Sequence, residues 1–115
     1  MRLAGLEREG IEVVEGNQGA FNEFALNGGD GLKKGHPALS DPLVRQAIAH
    51  AIDKQTIVDR VESGHATVAD TISPSANPEW MPEVPADKKF DFDLDKANAL
   101  LDEAGYEDTD GDGVR

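Results

Sequence analysis

The residues best equipped for chemistry lie near the end of the sequence, in "DTDGDGVR". Asp108, Asp110 and Asp112 alternate and Gly113 follows, matching the first half of an EF-hand-type loop, D-x-D-x-D-G. Alternate carboxylates can converge on a hard cation and the glycine permits the sharp turn, so calcium is the ion this spacing would hold. The bidentate glutamate that such a loop places twelve positions from its start would fall past Arg115, which leaves half a coordination shell. The same residues also read as a plain Asp/Gly turn between a helix and the element after it.

No second constellation supports catalysis. His36, His50 and His65 lack the spacing of metal ligands. His50 sits beside Ala49 and Ala51, off the main apolar stripe of its helix, and is expected to face solvent or a neighbouring helix. His50 and Asp53 are three apart and could interact, yet no nucleophile stands with them. The serines and threonines from Ser40 onward do not form a nucleophile elbow. The chain therefore reads as a non-enzyme. Trp80, the single tryptophan, falls in a proline-rich loop, either as a plug over the core edge or as a ligand-contact surface. Asn27 ends an apolar stretch ahead of two glycines, where its amide can satisfy loop backbone.

The elements that must position these residues follow from periodicity and punctuation. "RLAGLEREG" reads as the end of a helix, with Leu3 and Leu6 on one face and Gly10 as its stop. Short strands are expected at residues 11–15 and 20–27, linked by the turn signal "GNQG" and followed by a glycine-rich loop from Gly28 to Gly35. Ser40 or Asp41 can cap a helix with Pro42 at its first position. Val44, Ala47, Ile48, Ala51 and Ile52 make one apolar stripe, but Gln55 and Thr56 interrupt it, and Ile57, Val58 and Val61 resume out of phase. With Asp53 as a fresh cap, the spacing predicts two helices, 42–52 and 54–62, bent at Asp53. Four of the six prolines lie between Pro74 and Pro85 and impose a meandering extended loop. A last helix is expected over 94–104, capped by Asp93, with Leu94, Ala97, Leu100, Leu101 and Ala104 inward and Gly105 as its end. The fold class is α+β, a fragment of an α/β lobe.

The totals set limits on these readings. At 115 residues, with 38% apolar and 5% aromatic residues, the chain can build one modest aliphatic core. Without cysteine there is neither a disulfide framework nor a thiolate site. A net charge of −12 disfavours nucleic acid and anionic membrane surfaces as partners. The skew is strongest in residues 73–115, which hold 12 acids and 4 bases. No run approaches the roughly 20 apolar residues of a membrane span, and "MRLAGLEREG" has no apolar signal core.

Three ordered segments carry a resemblance. "FNEFALN", a loop and "HPALSDPLVRQAIAHAIDKQTIVDRVESGHATVAD" come first, then "ISPSANPEW", then "DFDLDKANALLDEAGYEDTDGDGV". Together they resemble the extracytoplasmic solute-binding proteins of ABC importers, the peptide/nickel-binding family that includes oligopeptide- and dipeptide-binding proteins. The usual proline of the third motif is replaced by Leu94, which loosens the helix start without moving it. The resemblance implies a periplasmic-binding-protein-like fold in which two lobes close on a ligand. Residues 1–115 are then one partial domain, the opening segment of the second, C-terminal lobe, and Met1 heads a piece cut from a longer protein whose export signal lies upstream.

It further implies a peptide or small solute as ligand, ABC permease subunits as partners, and a periplasmic or cell-surface location. Phe24 and Asn27 would lie on a crossover strand near the cleft, Ser73 on the loop approaching it, and Trp80 at the family's aromatic after the proline run. No cofactor is implied, apart from calcium at Asp108, Asp110 and Asp112. A chain so truncated is expected to self-associate through unpaired strand edges. The rival reading is a small acidic calcium-binding or interaction module, motivated by "DTDGDGV" and the charge skew.

Overall fold

The computed structural model describes residues 11, 12, 14, 16, 19–28, 35–73 and 76–115. The expected helix end before Gly10, and most of the Gly28–Gly35 loop, lie outside the described residues.

Helix α1 spans Pro42–His50, α2 spans Lys54–Arg60 and α3 spans Leu94–Glu103. Asp41, rather than Ser40, caps α1, and its carboxylate accepts from the Leu43 N–H at 2.8 Å. Ser40 instead belongs to a 3-10 turn, Pro37–Ser40, which Arg45 fastens by donating from Nη1 to the Leu39 and Ser40 carbonyls at 2.7 and 3.0 Å. The bend expected at Asp53 is present. The Ala51 N–H closes α1 on the Ala47 and Ile48 carbonyls, Ile52 leaves the helix, and Asp53 takes a non-helical ψ of 83°. The Asp53 carboxylate then opens α2 by accepting from the Thr56 N–H at 2.9 Å and the Thr56 hydroxyl at 2.7 Å. An N-cap is not itself helical, so Asp53 starts α2 with a fresh turn after Ala51 has closed α1. α2 ends through Ser63 and Gly64, both with positive φ, the Gly64 N–H bonding the Val58 carbonyl at 2.9 Å.

α1 packs on α3. Among the described residues, the small core consists of Val44, Ala47 and His50 from α1 and Ala97 from α3. Small residues at the contact let the two backbones approach closely. Ile48 and Ile52 are half-buried, whereas Ala51 and Leu94 are exposed despite their place in the expected stripes. The buried face of α1 is rotated toward His50 because α3 covers that side of the helix.

Among the described residues, the expected strands do not form. Residues 20–27 have no strand character, nor do positions 11, 12 and 14; positions 13 and 15 lie outside the described residues. Among the described residues, no N–H from 20 to 27 finds a protein acceptor. A strand is stabilised by its neighbour, and among the described residues none pairs with these. Local β propensity alone does not close a ladder.

Candidate ligand-facing surface

The joint between α1 and α3 is built around His50 and the residues Phe90–Asp93. His50 is 3% exposed. Its Nδ1 lies 2.7 Å from the Asp91 carbonyl oxygen, and since a carbonyl only accepts, Nδ1 carries the hydrogen. The imidazole meets the Phe90 ring edge-on, with centroids 5.4 Å apart, and the His50 carbonyl accepts from the Asp93 N–H at 2.9 Å. Three contacts thus tie the end of α1 to the residues that lead into α3. Of the two expected placements, toward solvent or toward a neighbouring helix, His50 takes the second. Its spacing of three from Ala47 continues the Val44–Ala47 row, a signal masked by its polarity.

Of the four residues expected near a ligand, Ser73 and Trp80 are brought together, the Ser73 hydroxyl donating to the Trp80 carbonyl at 3.2 Å. The Trp80 side chain is 75% exposed, at the end of a 3-10 turn, Pro78–Trp80, so it does not plug the core. Phe24 is 70% exposed. The Asn27 carbonyl backs closely on Gly35, where a Cβ would approach to 3.1 Å, while a Cβ on Gly28 would strike the Leu39 carbonyl. The two glycines therefore let this stretch lie against the turn that precedes α1. No hydrogen bond among the described residues joins Phe24 or Asn27 to Ser73 or Trp80.

Between Val68–Thr71 and Met81–Lys89 lies a recess of about 460 Å³, with apolar walls at Val68, Met81 and Val84 and charged ones at Asp70, Glu83 and Lys89. Asp70 bridges two lysines, Lys89 at 2.7 Å and Lys54 at 3.8 Å. The hydrogen bond from Lys89 holds the Asp70 carboxyl below its ordinary value and raises the Lys89 ammonium. Nothing in the sequence pattern pointed to this cluster, since its members are far apart along the chain and only the loop path joins them.

The carboxylate turn has its own geometry. One carboxylate oxygen from each of Asp108, Asp110 and Asp112 lies within 4.8 Å of the others. All three also serve the backbone. Asp108 accepts from the Gly111 and Gly113 N–H groups at 2.7 and 2.9 Å, Asp110 from Asp112 at 3.3 Å, and Asp112 from Val114 at 2.7 Å. The Gly113 bond in particular holds the Asp108 carboxyl below its usual range. Arg115 folds the turn back onto α3 by donating to the Asp102 carboxylate, to the Tyr106 carbonyl at 2.7 Å and to Asn98 at 3.3 Å. The arrangement works as a hydrogen-bonded Asp/Gly turn and places the same three carboxylates on one side of it.

No helix among the described residues is long and apolar enough to cross a membrane. No solved structure matches the chain. The oligopeptide-binding protein AppA of Bacillus subtilis (strain 168) is 36% identical over 87 residues, covering 73% of this chain and 15% of that protein. The chain thus spans a small part of the length of the relative it matches. Residues 4–115 match the family described as bacterial extracellular solute-binding proteins, family 5, in its middle region. The match runs through all three motifs quoted above, and the chain belongs to this family of extracellular solute-binding proteins.

Proposed function

We propose that this chain is a segment of the substrate-binding component of an ABC importer that captures peptides or related solutes without chemical change. The match over residues 4–115 to a solute-binding family carries this reading, and the likeness to an oligopeptide-binding protein supports the ligand class. In the parent protein, two lobes close on the ligand and permease subunits receive it outside the cytoplasm. Residues 1–115 form one partial domain at the opening of the second lobe. Phe24, Asn27, Ser73 and Trp80 face the cleft. The exposure of Phe24 and Trp80 supports this placement, because large apolar side chains left bare in one segment are commonly covered by a ligand or by the rest of the protein. The rival reading of a self-contained calcium module is not favoured, since the family match runs across the whole of the elements and is not confined to the acidic turn.

The test is a thermal-shift titration of the full-length parent with a pool of short peptides. Binding to the folded state raises the melting temperature, by about 2.7 kcal/mol of stabilisation when ligand stands at about 100 times its Kd. Absence of any shift, in a parent that is folded by circular dichroism, refutes the peptide reading. A shift unchanged in Trp80→Ala and Phe24→Ala parents removes those residues from the cleft. The 115-residue chain alone is expected to hold no peptide tightly, since half a clasp cannot enclose a ligand. It is also expected to associate with copies of itself through residues 20–27, whose backbone donors lack acceptors. Light scattering that finds only monomer at high concentration refutes that association.

A further inference from the structure

We infer that Asp70 is a charge pin that draws together the walls of the recess between Val68–Thr71 and Met81–Lys89, and that screening of its two lysine contacts lets them part. The inference concerns the chain's own conformation and does not depend on which solute the parent carries.

Three observations support the pin. First, packing between the two walls is incomplete and charge crosses where it stops. Val68 and Met81 are each 39% exposed although both line the recess, and the neutral hydrogen bond from Ser73 to the Trp80 carbonyl stands beside the walls without spanning them. Across the gap, Asp70 reaches Lys89 at 2.7 Å. Second, Asp70 also reaches Lys54, the first residue of α2, at 3.8 Å. One carboxylate therefore fastens its loop both to the start of α2 and to the segment leading into α3. Third, Lys89 has further carboxylates near it on its own side of the gap. Glu83 lines the same recess, and Glu83 and Asp91 both act on the Lys89 ammonium. When Asp70 lets go, Lys89 keeps an anionic environment, which lowers the cost of release. The remaining nearby pair, Asp87 with Lys88 at 3.6 Å, is well exposed and does not bridge the gap.

Partly exposed ion pairs weaken as salt rises, because screening shortens from about 10 Å at 0.1 M to about 3 Å at 1 M. Salt acts on the chain as a whole in the opposite sense. Screening a net charge of −12 relieves self-repulsion and tightens the fold. Opening with salt thus marks the pin and not a general loosening.

The chain has no cysteine, so Val84→Cys places a unique thiol in the recess wall, at a half-buried position. The measurement is the rate at which this thiol reacts with an uncharged aromatic disulfide, divided by the thiolate fraction found at each salt concentration, because screening of nearby acids by itself lowers a thiol pKa. The pin requires the rate to rise about fivefold between 0.1 M and 1 M sodium chloride. Adding Asp70→Asn is expected to give the fast rate already at low salt and to abolish the salt response. Adding Lys89→Gln should do the same without touching the loop that carries Asp70. Adding Asp87→Asn should leave both rate and response as they were. Circular dichroism identifies any variant that has lost its helices, and the salt series on the Val84→Cys chain then decides by itself. A rate that is flat or falls with salt, or a salt response that survives in folded Asp70→Asn and Lys89→Gln variants, overturns the inference.

Discussion

Replacing His50 by alanine is expected to cost about 2–3 kcal/mol, mostly by parting α3 from α1. The hydrogen bond from Nδ1 to the Asp91 carbonyl contributes about 1 kcal/mol. The edge-on contact with Phe90 adds about 0.5–1 kcal/mol. Removing the buried ring from a face this well covered contributes about 1 kcal/mol more. No further penalty arises for the stranded carbonyl, because Asp91 is exposed and water replaces the lost donor. Small domains have total stabilities near the low end of about 5–15 kcal/mol, so the loss is a large share of the whole. At about 2.1 cal/mol/K of unfolding entropy per residue, each kcal/mol moves the melting temperature of a chain this size by about 4 °C, and His50→Ala should melt about 8–12 °C lower. His50→Asn separates the contributions. Its amide can sit near the position of Nδ1 and donate to Asp91, while the ring contact is gone, so its loss should be roughly half that of alanine. The assay is urea and thermal unfolding followed by circular dichroism. An alanine variant within about 0.5 kcal/mol of the parent, or an asparagine variant no better than alanine, would refute the joint as described.

Two further outcomes follow from single side chains. The Asp53 carboxyl is held below its ordinary value chiefly by the Thr56 hydroxyl and then by the Thr56 N–H. A depressed carboxyl supports the folded state fully above the unfolded value of 3.8, and that support is lost as pH falls through the folded value. Helix content should therefore decline with acid below that range, and Asp53→Asn should show less of this dependence, read by circular dichroism across pH 2–6 (about four units, a range set by ordinary carboxylates). A pH profile identical in the two chains would count against the Asp53 cap. Gly105 closes α3 with φ of +84° and open space where a Cβ would go. Gly105→Ala should cost about 1 kcal/mol from backbone strain alone, and a neutral or stabilising result in chemical unfolding would contradict the left-handed cap.

The helices were legible in the sequence because their signals are local. Asp41, Asp53 and Asp93 each cap the helix that follows them, and Gly105 ends the last one. A cap and its first turn span four residues, so no distant contact is needed to read them. The rotation of α1 was not legible, because which face is buried depends on where α3 lands. His50 looked like a polar interruption and proves to be the joint. The Asp70 cluster escaped for a similar reason. Its charges stand 16 and 19 positions apart in sequence, and only the fold brings Lys54 and Lys89 to one carboxylate.

The missing strands follow the same logic. Helical hydrogen bonds close within a segment, so α1, α2 and α3 can form in a chain that spans 15% of its relative. Ladder bonds close between segments, and the β-branched and aromatic residues at 11–15 and 20–27 encode a propensity that requires a partner strand. In this chain Phe21 and Phe24 remain exposed and the donors around them unbonded, while Gly28 and Gly35 seat the end of the same stretch against the turn before α1. The segment is anchored at one end and open along its length.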